Sequence, residues 1–275
     1  MIIINDDFYS DINDVSSDIL NSLINDSVYK FDFRIENNKV LFLEESFFEM
    51  MSHLRRLRLN IPMYFNIEYF ILNFQKLIND SSNKSFLIKL VFAVKKSPLI
   101  DNYESDLITL FSINNIESIL VVNNDLKISV FKDFKINSNE FSSFLSNNKL
   151  IRIAKLDAIE NNYHDNVILN YKNQVIRSAF GNILIFKNRT ITTPSISDGA
   201  PSNFLMKPFI NYLKKNNFEC EERCFSIFDL QIAEDIATIS VNEGLSNVVK
   251  YKNKKFNKTI FIELFTSFVK DEILK

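Results

Sequence analysis

Glycine is nearly missing from this chain. Gly181, Gly199 and Gly244 are its 3 glycines in 275 residues, where average usage would place roughly 19. Each survivor is therefore expected where a side chain would disturb the backbone. Tryptophan is absent, and histidine and cysteine occur 2 times each. His53 and His164 lie far in sequence from Cys220 and Cys224, so no metal-ligand spacing exists and a reduced thiol pair is expected. Lysine and arginine (32) nearly balance aspartate and glutamate (34), for a net charge of −2. No basic surplus favours nucleic acid or an anionic membrane. No apolar run reaches the ~18 residues of a membrane span, and the start, Met-Ile-Ile-Ile-Asn-Asp-Asp, lacks the basic opening of a signal peptide. A cytoplasmic protein that binds neither nucleic acid nor membrane is the expectation.

What is abundant is phenylalanine, 27 residues within a 46% hydrophobic composition. We read this as a genome bias that fills cores rather than as an aromatic binding stripe. Period-two alternation predicts a strand over 28–35, a turn over 36–39 and a returning strand over 40–43. Helical spacing of Phe47, Phe48, Met51, Leu54 and Leu57 predicts a helix over 44–60 that stops at Asn60-Ile61-Pro62. A second helix follows over 66–79, a polar loop over 80–84, a strand over 85–94, and further strand and linker over 107–113 and 117–122. In the second half, strands are predicted over 127–134 and 167–170. A helix over 149–161 carries Leu150, Ile153, Ala154, Leu156 and Ala158 on or near its buried side. Later helices are expected over 203–216 and 257–273, and strands over 232–240 and 248–252.

Residues 175–200 organise the rest. They read as a strand, a bend at Gly181-Asn182, an apolar strand, a turn at Asn188-Arg189, a third strand with Thr193-Pro194, and a loop at Ser197-Asp198-Gly199. This succession resembles the class IV aminotransferase family, which includes aminodeoxychorismate lyase and branched-chain aminotransferases. The resemblance covers essentially the whole chain. It implies an α/β (α+β) fold of two domains: a small N-terminal sheet-plus-helix domain over 1–120 and a barrel-like C-terminal domain over 121–275. It also implies a homodimer and pyridoxal phosphate as the family's cofactor.

The residues that this chemistry requires are replaced at the matching positions. The family's Schiff-base lysine falls on Leu145, within Phe141-Ser142-Ser143-Phe144-Leu145. The carboxylate that faces the pyridine nitrogen falls on Arg177, which offers donors alone. The histidine and arginine before the phosphate fall on Ser46 and Glu49. The helix-start motif of the phosphate cradle reads Asn203-Phe204-Leu205-Met206, and the nearby hydroxyl falls on Ile239, with Ser240 adjacent. Gly181 and Asn182 remain. The expected consequence is that no cofactor is bound, and that the chain serves a binding or regulatory role toward a protein partner or a small-molecule ligand. The alternative is an active, divergent aminotransferase or lyase-type enzyme with a displaced lysine. The two reversed charges need new partners: for Glu49 the i+4 residue His53 is favoured, with Arg55 and Arg56 behind it, and for Arg177 a carboxylate or backbone carbonyls.

Overall fold

A computed structural model describes residues 1–78, 84–95, 106–139, 141–145 and 148–274. The expected loop over 80–84, apart from Lys84, lies outside these residues, as do Asn79, Ser146 and Asn147. The chain divides into two compact units, Met1–Ser118 and Ile119–Lys275.

The first unit holds β1 (Ile2–Ile4), β2 (Asp7–Tyr9), α1 (Ser17–Asn25), β3 (Ser27–Glu36), β4 (Lys39–Val40), α2 (Leu43–Arg56), α3 (Ile67–Ile78), β5 (Ser85–Val94) and β6 (Leu107–Asn115). Its strands form one antiparallel sheet in the order β2-β1-β6-β5-β3-β4. Alternation in β3 buries Tyr29, Phe31, Phe33 and Ile35. Phe33 meets Phe70 and Phe74 of α3, with ring centroids 6.4 and 5.0 Å away. The abundant phenylalanines are thus mortar between sheet and helix. Truncating one to alanine there should cost ~3–5 kcal/mol.

Glycine scarcity is met by asparagine. Most non-glycine residues with positive φ are Asn5, Asn37, Asn38, Asn162, Asn173, Asn188 and Asn217, since a short amide side chain tolerates the left-handed region best. Asn37 and Asn38, at φ 50° and 62°, turn β3 back into β4, the two-residue turn that matches strand twist. The returning strand is shorter than expected, because Phe42 takes φ 46° and α2 starts at Leu43. Helix α2 also ends early, at Arg56 rather than Asn60. Arg58 stands at φ 59° where a glycine would be usual, and Leu59 N–H donates to Leu54 O at 3.2 Å, so a Schellman-type stop closes the helix before the proline is reached. Residues 117–122 form no strand.

The second unit holds β7 (Asn123–Val130), α4 (Asn148–Glu160), β8 (Asp165–Leu169), β9 (Gln174–Ser178), β10 (Asn182–Lys187), β11 (Thr190–Thr193), α5 (Met206–Lys215), β12 (Glu219–Glu222), β13 (Phe225–Ser226), α6 (Ile227–Ile232), β14 (Asp235–Ser240), β15 (Gly244–Tyr251), β16 (Lys254–Lys255) and α7 (Ile260–Phe268). A single π-helical turn, Val269–Ile273, prolongs α7. The sheet order is β12-β11-β10-β14-β15-β7-β8-β9-β13, with β16 paired to β15. Strands β9 and β10 stand five places apart in that order, yet the turn Ser178–Gly181 joins them, with Ser178 N–H donating to Gly181 O at 2.9 Å. Such a link requires the sheet to curl until its ends approach, which makes the barrel-like unit. Its interior is filled by Leu126, Ile128, Val167, Val175, Ile183 and Ile236, among others.

Helix α4 packs on β8 and β9 through Ile151, Ala154 and Ala158. Ile153 and Leu156, expected near the buried side, are exposed. The contact stripe is the narrow 151/154/158 row, so its flanks are left out. Helix α6 was missed for its brevity. The signal was present in Ser226 and Asp229, which form a capping box.

Candidate functional site

The residues around the Gly181 bend come together in the second unit. A methyl group on Gly181 would lie 2.2 Å from Ile239 O and 3.2 Å from Ser240 Cβ. Close approach of the bend to β14 therefore demands glycine there. Asn182 Nδ2 donates to Pro201 O at 2.9 Å, and Asn203 Nδ2 donates to Asn182 Oδ1 at 3.1 Å. The Asn203 side chain also accepts from Leu205 N–H at 3.0 Å, so it caps the approach to α5. Phe204 and Leu205 are buried. Ser240 Oγ accepts from Glu243 N–H at 3.0 Å. Sequence-expected positions Gly181, Asn182, Leu205, Ile239 and Ser240 thus share one neighbourhood, held by contacts within the chain.

The loop at Ser197-Asp198-Gly199 is also locally explained. Ser195 Oγ accepts from Asp198 N–H at 3.2 Å and bonds the Asp198 carboxylate at 2.7 Å. Gly199 has φ 105°, a conformation costly for any residue with a Cβ. The segment carrying Leu145 is tied to this region through Ser202 N–H, which donates to Ser143 O at 2.7 Å, and Leu145 itself is exposed.

Arg177 is the residue most changed in character by its surroundings. It follows a β-bulge: Ile168 faces Arg177 and Leu169 faces Val175, which leaves Ile176 extra. Bulges of this kind re-aim the next side chain. Arg177 is 6% exposed, and its Nε donates to Ser178 O at 3.0 Å. The expected carbonyl partner is present. Burial pulls its pKa down to about 10, against the opposing pull of Asp165.

Asp165, at the start of β8, was not foreseen. It is fully buried, and Oδ1 accepts from Asn166 N–H at 2.7 Å and Ala179 N–H at 3.1 Å. Oδ2 has no hydrogen bond among the described residues. Burial pushes its carboxyl up to about 7, with the neighbouring Ser178 hydroxyl and Asn166 amide opposing. Lys155 of α4 is half-buried, with Nζ 3.9 Å from the centroid of the Phe180 ring. Burial lowers its pKa, Asp165 and Glu243 raise it, and Arg177 lowers it further. Separations of 12 and 22 residues from Arg177 hide Asp165 and Lys155 from any local motif; the β8–β9 pairing and the α4 packing assemble the group.

In the first unit, Glu49 lies on α2, half-buried. His53, one turn further along α2, is engaged by β3. The ring Nδ1 is hydrogen-bonded to the Tyr29 hydroxyl at 2.6 Å, and burial, with Arg56 nearby, lowers its pKa to about 4. The imidazole is therefore neutral at pH 7. Among the described residues no cluster of histidine, cysteine, aspartate and glutamate is built to hold a metal ion. Both cysteines are free.

A unit with a small antiparallel sheet and its helices, and a unit whose sheet is closed on itself by the β9–β10 turn, make up a fold shared with pyridoxal-phosphate enzymes of known structure. The Escherichia coli branched-chain amino acid aminotransferase is 12% identical with a TM-score of 0.84, covering 98% of this chain and 93% of that one. A putative 4-amino-4-deoxychorismate lyase from Legionella pneumophila is 17% identical with a TM-score of 0.78, covering 91% and 93%. An aminotransferase from Brucella abortus, solved with pyridoxal phosphate bound, is 11% identical with a TM-score of 0.80, covering 97% and 96%. At these identities the likeness is one of fold. The family follows from the sequence itself: residues 33–251 match amino-transferase class IV, and the chain belongs to that family. No curated protein matches it significantly.

Proposed function

We propose that this chain is a class IV aminotransferase-family protein that works by binding rather than by Schiff-base catalysis. It has a regulatory or ligand-binding role, as a cytoplasmic homodimer. Pyridoxal phosphate needs a lysine, a carboxylate at its ring nitrogen, and cationic and N–H donors for its phosphate. The residues at the matching positions do not fit it. Leu145 cannot form an imine, Arg177 is a buried cation with donors alone, and Glu49 brings negative charge toward a phosphate. The N–H of Leu205, at the helix-start position, is already taken by Asn203. Glycine and asparagine of the surviving motif are accounted for by packing against Ile239, Pro201 and Asn203. The observation that carries the reading is buried Arg177, because an arginine there opposes a protonated ring.

A second reading is favoured by one observation. Lys155 is half-buried with a lowered pKa beside Phe180, the environment that makes an amine nucleophilic. A displaced lysine would keep the enzyme active. Titrating purified protein with pyridoxal phosphate separates the two. The binding reading expects no visible absorbance band from a lysine-bound cofactor, and a saturable band at one cofactor per chain would overturn it. Light scattering on the same sample reads the dimer.

A further inference from the structure

We infer that the guanidinium of Arg177, with the ammonium of Lys155 beside it, binds the carboxylate of a small ligand within the C-terminal unit. The inference rests on the reading above, that no Schiff-base cofactor occupies this neighbourhood.

The first argument is an unmet donor set. A guanidinium has five N–H donors. In Arg177 the Nε–H is used on Ser178 O, and the terminal nitrogens find no acceptor among the described residues. The side chain is nevertheless more than nine-tenths buried. Its terminal nitrogens are not among the enclosed polar atoms without a partner, so they face solvent and an incoming acceptor can reach them.

The second argument concerns the counter-charge. Asp165 is the anion that Arg177 feels, but Asn166 N–H and Ala179 N–H engage its Oδ1, and no hydrogen bond joins the two side chains. Lys155 is a second cation in the same group. Its Nζ rests over the Phe180 ring, and it feels Arg177 as a like charge. Two partly desolvated cations that repel each other are both relieved by one anion placed against them.

The third argument selects the anion. The arginine fork matches a planar carboxylate in bidentate geometry, and lysine adds a point charge. Asp165 and Glu243 both act on Lys155. They penalise a phosphate dianion more than a monoanion. The Phe180 ring offers a face for the apolar remainder of the ligand.

The test is calorimetry and thermal melting of the full-length protein with sodium benzoate at constant ionic strength, with inorganic phosphate in parallel. Benzoate should raise the melting temperature saturably and more than phosphate does. Arg177→Met should abolish the response without lowering the melting temperature of the unliganded protein. Lys155→Gln should weaken benzoate about tenfold and leave the unliganded melt unchanged. It serves as the deciding variant if Arg177→Met does not fold. Absence of any benzoate response in the wild type, full retention of it in either variant, or tighter binding of phosphate would each overturn the inference. A pyridoxal-phosphate band in the absorbance titration would instead sink the reading on which it rests. A failed benzoate response alone leaves that reading standing.

Discussion

Each unit buries an arginine, and the two are treated differently. Arg34, on β3 and 1% exposed, donates to Glu36 Oε1 through Nε at 2.8 Å and pairs with it through Nη2 at 2.7 Å. Nη2 also donates to Glu117 O at 2.6 Å. Ser85 Oγ donates to the other Glu36 oxygen at 2.6 Å. Charge and hydrogen bonds are satisfied from within the chain. Among the described residues Arg177 has one bond, to the adjacent carbonyl. Burial lowers the pKa of both guanidiniums, and the difference lies in what offsets it. A fully satisfied buried arginine holds a sheet edge in register. One left with open donors is placed for something outside the chain.

Breaking the first arginine should have the largest effect. Arg34→Met strands the Glu36 carboxylate in the interior and should cost ~3–5 kcal/mol in urea unfolding. Arg177→Met removes a poorly offset charge and should change stability by less than ~1 kcal/mol, or raise it. Equal losses in the two variants would erase the distinction.

Titration sharpens the same contrast with opposite signs. His53 has a folded pKa of about 4, below the ~6.5 of an unfolded chain. Between pH 6.5 and 4 the unfolded state binds more protons. Stability therefore falls as pH drops through that window, by ~3 kcal/mol in total. Asp165 is raised by burial to about 7, so from the unfolded value of ~3.8 up to 7 the folded state holds the extra proton. Its contribution falls as pH rises. His53→Gln should flatten the first slope and Asp165→Asn the second, read by denaturation at stepped pH. A histidine variant that keeps the acid slope would show that burial of His53 is not its source.

A smaller effect tests whether packing alone explains the surviving glycine. Gly181→Ala sets a methyl group against the Ile239 carbonyl, and overpacking of this kind costs ~1–3 kcal/mol. Cofactor-free protein melting normally with the alanine would return Gly181 to a role in ligand approach.

Much of the fold was legible because its strands announce themselves. The span of β5 was read to the residue, and Asn37-Asn38 marked the β3–β4 hairpin despite the missing glycine. The C-terminal end of α2 and the exposed flank of α4 were not legible. A left-handed arginine at 58 and a narrow packing row are decided by tertiary contacts, not by periodicity. At the candidate site the positions around Gly181, Asn182 and Ile239 could be named in advance, since they follow a local succession of turns. Asp165 and Lys155 could not, because only strand pairing and helix packing bring them to Arg177. The contact between Tyr29 and His53 was not legible for a related reason: β3 supplies Tyr29 to His53 from 24 residues away.

The central claim is that no lysine of this chain carries pyridoxal phosphate. Incubation of the full-length protein with the cofactor, borohydride reduction and intact-mass measurement test it most directly. The account predicts the mass of the unmodified chain. A stoichiometric adduct on Lys155, Lys149 or another single lysine would contradict it.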